Sequence, residues 1–203
     1  MFSATLPWPA RYVAFPARSD FERLLSSLTR ELAASQIPFM LIGGQAVLLH
    51  GSPRATEDID ITLGVDPSEL PVVERVCATL RLVPLPQQVE AFVNETFVLP
   101  VREERTAMRI DFIFSSTAYE QQAIAHAQHV SIAGVMVPFA TAEDLVLHKL
   151  FAGRPRDLED VQGIVRRKKD ELNWEYLRRW AREFASIPGR EDLPDLVEQY
   201  WRA

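Results

Sequence analysis

The chain has 203 residues, 22 Lys and Arg against 28 Asp and Glu, and a formal net charge of −6. That length suits one domain, or one core with a modest appendage. A hydrophobic share of 47% and a charged share of 25% belong to an ordinary globular chain that needs no disulfide or structural metal to build a core. The acidic balance excludes a protein that coats nucleic acid through bulk charge. The single cysteine, Cys77, excludes an intramolecular disulfide and a Cys-rich zinc site, and its helix-like surroundings Val72–Ala78 mark it as a buried, inert thiol.

Leu32–Pro53 and Gln121–Ala142 each run 22 positions without a charge, long enough for a membrane span. Pro38, Gln45 and His50 in the first, and Gln121, His126 and His129 in the second, make both too polar to be one. The start carries Pro7, Pro9 and Pro16 and no charged segment before an apolar one, unlike a signal peptide. A cytoplasmic protein with no membrane contact is expected.

In chain order, residues 1–19 read as an irregular arm. From Asp20, Phe21, Leu24, Leu25, Leu28 and Leu32 recur at helical spacing. Pro38 ends that helix, and Phe39–Ile42 predicts a short buried strand running into Gly43-Gly44, with a helix over Gln45–His50. From Asp58 to Leu63, Ile59, Ile61 and Leu63 alternate with Asp58, Asp60 and Thr62, a strand with both aspartates on one face. Asp66-Pro67 opens a helix to about Arg81, and Pro84 and Pro86 break the chain. Phe97–Val101 and Met108–Phe114 read as an antiparallel pair, Thr117–Gln128 as a helix, and Val130–Phe139 as strand turning at Ala133-Gly134. From Thr141 onward the pattern is helical, with Thr141, Asn173 and Asp192 as candidate caps. The expected fold class is α/β (α+β), a mixed sheet flanked by helices and followed by a C-terminal helical subdomain. Its expected divisions are an arm and helix over 1–36, a core over 37–139 and helices over 140–203.

The chemistry concentrates in residues 43–60. A strand ending in Gly43-Gly44 and opening a helix presents free N–H groups and the positive end of a helix dipole, which favour a phosphate. Asp58 and Asp60 stand about 6.5–7 Å apart on one strand face. Two carboxylates at that spacing can bracket Mg²⁺, which takes one or two carboxylates plus substrate phosphates. Asp111, in Arg109-Ile110-Asp111-Phe112, is costly to bury without a partner or a metal. If its strand lies beside the first, about 4.8 Å away, all three aspartates converge. Three such carboxylates beside a glycine turn suit two-metal phosphoryl transfer. An ion pair between Asp111 and Arg109 is the plainer alternative.

Lys149 is one of only three lysines in a chain otherwise reliant on arginine, and it sits in the mostly apolar run Leu145–Phe151. A compact charge on a long stem can reach a triphosphate from there; snorkelling from an amphipathic helix is the competing reading. Asp157 and Asp160, three apart at a helix start, read as dipole compensation. His50 and His148 read as packing positions.

The run Gly43-Gly44, His50-Gly51, Arg54-Ala55-Thr56 and Asp58-Ile59-Asp60 resembles the nucleotidyltransferase superfamily signature, in particular its AbiEii-type toxin and minimal nucleotidyltransferase branch. The similarity continues through Val137–Leu150 and through Arg154–Val161. The resemblance implies a polymerase-β-like core that moves an NMP from an NTP, with Mg²⁺, two ions expected. It implies metal binding at Asp58 and Asp60, with Asp111 either joining them on the metals or acting as base on the acceptor hydroxyl. Gly43, Gly44, Arg54, Ser52 and Lys149 would hold the triphosphate, and Asp157 and Asp160 would organise Lys149 or orient the acceptor. Where many members have Gly-Ser this chain has Gly43-Gly44, and Gln45 follows where the toxin-like branch often has Thr. Phosphate binding then leans on backbone N–H groups, Arg54 and Ser52.

The charge divides into −6 over residues 1–150, +3 over 151–182 and −3 over 183–203. The middle stretch, with Arg166–Lys169, Arg178-Arg179, Trp174, Tyr176 and Trp180, could track a phosphate backbone with aromatic stacking, although a solvated helix face is the commoner meaning of such a run. A tRNA end or a protein hydroxyl is the expected acceptor, and a cognate antitoxin the expected partner. The alternatives are an antibiotic-modifying nucleotidyltransferase and a non-catalytic nucleotide-binding module.

Overall fold

The computed structural model describes residues 20–52, 56 and 58–202; the expected arm over 1–19 lies outside them. Helix α1 (Asp20–Ala34) buries Leu24, Leu25, Leu28 and Leu32, as their spacing requires. Strand β1 (Phe39–Leu41) runs into α2 (Gly43–His50), which starts at the first glycine rather than after the pair. Strand β2 (Asp58–Leu63) has the bounds that the alternation predicts. Pro67–Glu69 form a single 3₁₀ turn, braced by Ser68 N–H donating to the Asp66 carboxylate, before α3 (Leu70–Leu80).

The expected break at Pro84 and Pro86 conceals two elements, β3 (Leu82–Pro84) and α4 (Val89–Thr96). β3 lies at the sheet edge, where a proline costs no ladder hydrogen bond. Then come β4 (Val98–Glu103), β5 (Arg109–Phe114), α5 (Ala118–Ala125), and the hairpin of β6 (Gln128–Ile132) and β7 (Val135–Phe139). The α5 helix is shorter than its periodicity suggests because Gln128 already belongs to the hairpin, paired with Phe139.

The remaining elements are α6 (Ala142–Ala152), α7 (Pro155–Lys168), α8 (Trp174–Phe184) and α9 (Leu193–Arg202). Thr141 caps α6 by accepting from Asp144 N–H, and Asn173 caps α8 by accepting from Tyr176 N–H. No helix among the described residues is long and apolar enough to cross a membrane.

The strands form one mixed sheet in the order β3-β4-β5-β2-β1-β7-β6. β2 pairs parallel with β5 and antiparallel with β1, and β1 pairs parallel with β7. Period-2 geometry sends Ile59, Ile61 and Leu63 of β2, with Ile110, Phe112 and Phe114 of β5, into the core. The opposite face carries Asp58, Asp60 and Thr62 beside Arg109, Asp111 and Ile113.

Candidate active site

The β2–β5 register sets Asp60 directly opposite Asp111, and Asp58 opposite Arg109. These side chains line a cleft of about 1190 Å³ that also takes in Gly43, Gly44, Lys149 and Asp157. Asp111 holds Arg109 in a two-pronged ion pair, with Nε 2.9 Å and Nη2 3.0 Å from its two carboxylate oxygens. Burial, and then the charges of Asp111 and Asp58, push the Asp60 carboxyl above its ordinary range; Lys149 and a hydrogen bond from the Gly44 amide only partly offset them.

The glycine pair is demanded by the protein's own side chains. Gly43 has φ +63°, and a Cβ there would lie 1.8 Å from Asp60 Oδ2. At Gly44 a Cβ would lie 2.3 Å from Thr56 Oγ1 and 2.7 Å from Thr56 Cβ. A side chain at position 44, serine included, would therefore displace Thr56. Ile42, at the N-cap, makes no side-chain hydrogen bond to α2, and the Asp60 carboxyl accepts from the Gly44 amide at the helix start. The N-terminal dipole of α2 therefore faces the carboxylate-lined cleft.

Lys149 is buried on α6, and α7 is packed so that its first turn meets it. Nζ lies 2.7 Å from Asp157 Oδ1 and 2.9 Å from Asp160 Oδ2. Burial alone would raise the Asp157 carboxyl, but Arg154 and Lys149 outweigh it and hold the group below its usual range. Arg154, largely exposed with its Nε 2.5 Å from Asp157 Oδ2, and Arg156 bring further positive charge to the cleft.

Of the residues singled out in the sequence, Asp58, Asp60, Asp111, Gly43, Gly44, Lys149 and Asp157 meet in this one cleft, and Asp160 stands behind Lys149. Ser52 does not join them: its hydroxyl packs on α7, where a Cβ on Gly163 would lie 2.9 Å from it. Arg54 lies outside the described residues. Sequence reasoning gives no site role to Thr56, Thr62, Tyr119 or His148, and names Arg109 only as the ion-pair partner of Asp111, the pair that the structure shows. Only Thr62 and Arg109 carried a legible signal, because they share the strand face of the aspartates.

His50 donates through Nε2 to the Ala140 carbonyl at 2.8 Å, tying α2 to the β7–α6 junction. Burial pushes the Cys77 thiol up to about 12, which keeps it protonated and inert. In the basic and aromatic run Arg166, Arg167 and Arg179 stay exposed, while the aromatic rings pack against the core. Arg167 donates to the Gly51 carbonyl, Arg178 pairs with Glu198, Tyr176 bonds Asp144, and Trp180 is buried. Its aromatic rings are thus occupied in packing rather than offered as a stacking surface.

The family model for the nucleotidyl transferase AbiEii toxin, of a type IV toxin–antitoxin system, matches residues 23–199. A search of curated proteins finds no match. Among solved structures, the antibiotic-resistance factor ANT(2'')-Ia is similar with a TM-score of 0.55 at 13% identity, covering 91% of this chain and 95% of that one. An antigenic nucleotidyltransferase-like protein from Paracoccidioides brasiliensis is similar with a TM-score of 0.53 at 15% identity, covering 89% of this chain and 95% of that one. At such identities these two structures speak for the fold. The family match, spanning the sheet, the glycine-led helix and the lysine helix that build the cleft, shows that the chain belongs to the AbiEii nucleotidyl transferase toxin family and is an enzyme of the nucleotidyltransferase class.

Proposed function

We propose that this enzyme moves an NMP from an NTP to an acceptor hydroxyl with Mg²⁺, as the toxin of a toxin–antitoxin pair whose cognate antitoxin restrains it. The observation that carries the reading is the in-register facing of Asp60 and Asp111, one strand step from Asp58 and in the same cleft as Lys149. The donor set fits the ion: all are hard carboxylate oxygens, and the like-charge crowding that raises the Asp60 carboxyl is relieved by a cation. Among the described residues no three side chains converge closely enough to hold a metal unaided. Mg²⁺ there would complete its shell with water and with phosphate oxygens of the substrate it arrives with.

In this reading Asp58, Asp60 and Asp111 hold the ions, which when bound polarise the α-phosphate and neutralise the charge of the departing pyrophosphate. The Gly43 amide, the Gly44 amide once it exchanges Asp60 for substrate, and the α2 dipole face the phosphates. Lys149, fixed by Asp157 and Asp160, presents its charge to the triphosphate, and Arg154 and Arg156 screen the outer phosphates. Asp111 accepts the acceptor hydroxyl's proton as that oxygen attacks the α-phosphorus and the bond to pyrophosphate breaks. To do so it must exchange its Arg109 partner.

The acceptor read here is a tRNA end or a protein hydroxyl, supported by the toxin family. A second reading, a cationic small molecule, is favoured by the carboxylates of Asp58, Asp60 and Asp111 on one face of the cleft; ANT(2'')-Ia, of like fold, has been seen with adenylyl-2''-tobramycin. Incubation with α-labelled NTP and, separately, tRNA, protein extract or aminoglycoside distinguishes them. Label on tRNA or protein supports the first reading, and label on the aminoglycoside alone replaces it with the second.

A further inference from the structure

Beyond the aspartates the cleft has a second, more enclosed end with a different chemistry. Thr62 follows Asp60 on the same strand face, about 7 Å on. It is 1% exposed, yet its hydroxyl has no hydrogen-bond partner among the described residues. His148, next to Lys149 on α6, lines the same cleft, and its Nε2 is likewise buried and unpartnered. Burial lowers the affinity of this imidazole for a second proton. Two orphaned polar atoms in one recess are costly unless something pairs with them.

The walls around them are flat and fixed. The Tyr119 ring lies 5.6 Å from that of His148 and 4.9 Å from Phe184, edge-on at 88° to the latter. Its hydroxyl donates to Asp144 at 3.1 Å, so the ring is held rather than free to swing. Ile113 and Leu145 close the recess.

We propose that this recess is the nucleobase subsite, in which Thr62 and His148 read the polar edge of the base while the mutually packed Tyr119 and Phe184 form one aromatic wall of it. The inference rests on the nucleotidyl-transfer reading and assigns specificity residues to it. Position favours the base over the acceptor. Thr62 and His148 each stand one step from a group given to the α-phosphate or the triphosphate, a ribose's length away. The acceptor has the other end, where Asp58 is exposed and the Arg109 side chain is 46% exposed. A planar, hydrogen-bonding ring is also what an aromatic-walled recess holds best.

Equilibrium binding with Mg²⁺ tests this, using non-hydrolysable analogues of the four NTPs and inorganic tripolyphosphate. The wild type is expected to bind one or two analogues at least tenfold more tightly than tripolyphosphate. Thr62→Val and His148→Phe are each expected to weaken those analogues about tenfold and to level the preference among bases. Tripolyphosphate binding should be unchanged, which also shows that the variants are folded, and Thr62→Ser should restore affinity. Wild-type affinity and base preference in both variants would overturn the proposal, the more so if labelling of the acceptor alone were impaired. If the wild type bound neither the analogues nor tripolyphosphate, the transferase reading would fall, and the base subsite with it.

Discussion

Gly43 and Asp60 touch: the glycine's missing Cβ would fall 1.8 Å from the Asp60 carboxylate oxygen, with the glycine backbone at φ +63°. The turn that faces the phosphates and the carboxylate assigned to the metal are therefore one mechanical unit. Gly43→Ala combines a steric overlap with a left-handed backbone that alone costs about 1–2 kcal/mol. It should displace Asp60 and lower transfer more than tenfold, measured with labelled NTP at saturating Mg²⁺.

The neighbouring glycine offers a separable test. Gly44→Ala should destabilise the protein because its Cβ meets Thr56, and the double variant with Thr56→Gly should recover much of the loss. Urea unfolding of the two single variants and the double variant measures the coupling. Purely additive effects would refute the contact as the reason for the glycine.

Asp60 is ionised at a cost in the metal-free protein. Its carboxyl is raised by burial and by Asp111 and Asp58, so its contribution to stability is present at low pH and is lost as pH rises through the carboxylate range. Asp60→Asn should therefore raise the melting temperature at neutral pH without Mg²⁺ while abolishing transfer. Added Mg²⁺ and NTP should stabilise the wild type more than the variant, as read by thermal unfolding.

These consequences follow from positions only partly legible in the sequence. The alternation in Asp58–Leu63 states both the strand's bounds and the shared face of Asp58, Asp60 and Thr62, because a period of two is local. Thr141 and Asn173 were legible as caps for the same reason. That β5 lies beside β2 could be stated only conditionally, since strand neighbours are set by packing across the whole sheet. The glycine pair reads in the sequence as room for a phosphate, and its crowding by Asp60 and Thr56 is visible only once β2 and the segment before it lie against the turn. α4 was hidden by the prolines before it, and the unpartnered state of Thr62 and His148 exists only once α6 has closed over the sheet.

Lys149 sits between two carboxylates out of water, so removing it strands charge. Lys149→Met should cost about 3–5 kcal/mol, the range for breaking a buried pair. Adding Asp160→Asn to it should recover part of that stability but none of the activity. Chemical denaturation and transfer assays on the two proteins separate the structural role of this lysine from its chemical one.

His50 and His148 both have imidazoles depressed by burial, so the unfolded chain binds their protons more readily. The stability they confer is complete above the ordinary imidazole value of about 6.5 and is lost as pH falls below it. His50→Gln keeps a donor for the Ala140 carbonyl and cannot take up the proton. It should flatten the stability profile below about pH 6.5, measured by urea unfolding at a series of pH values.

The most direct measurement compares wild type with Asp60→Asn, each given α-labelled NTPs, Mg²⁺ and total RNA or protein extract. Label from at least one NTP should pass to an acceptor with the wild type, require Mg²⁺, and vanish in the variant. Equal labelling by the variant, or transfer undiminished when Mg²⁺ is chelated, would contradict a reaction carried by these carboxylates.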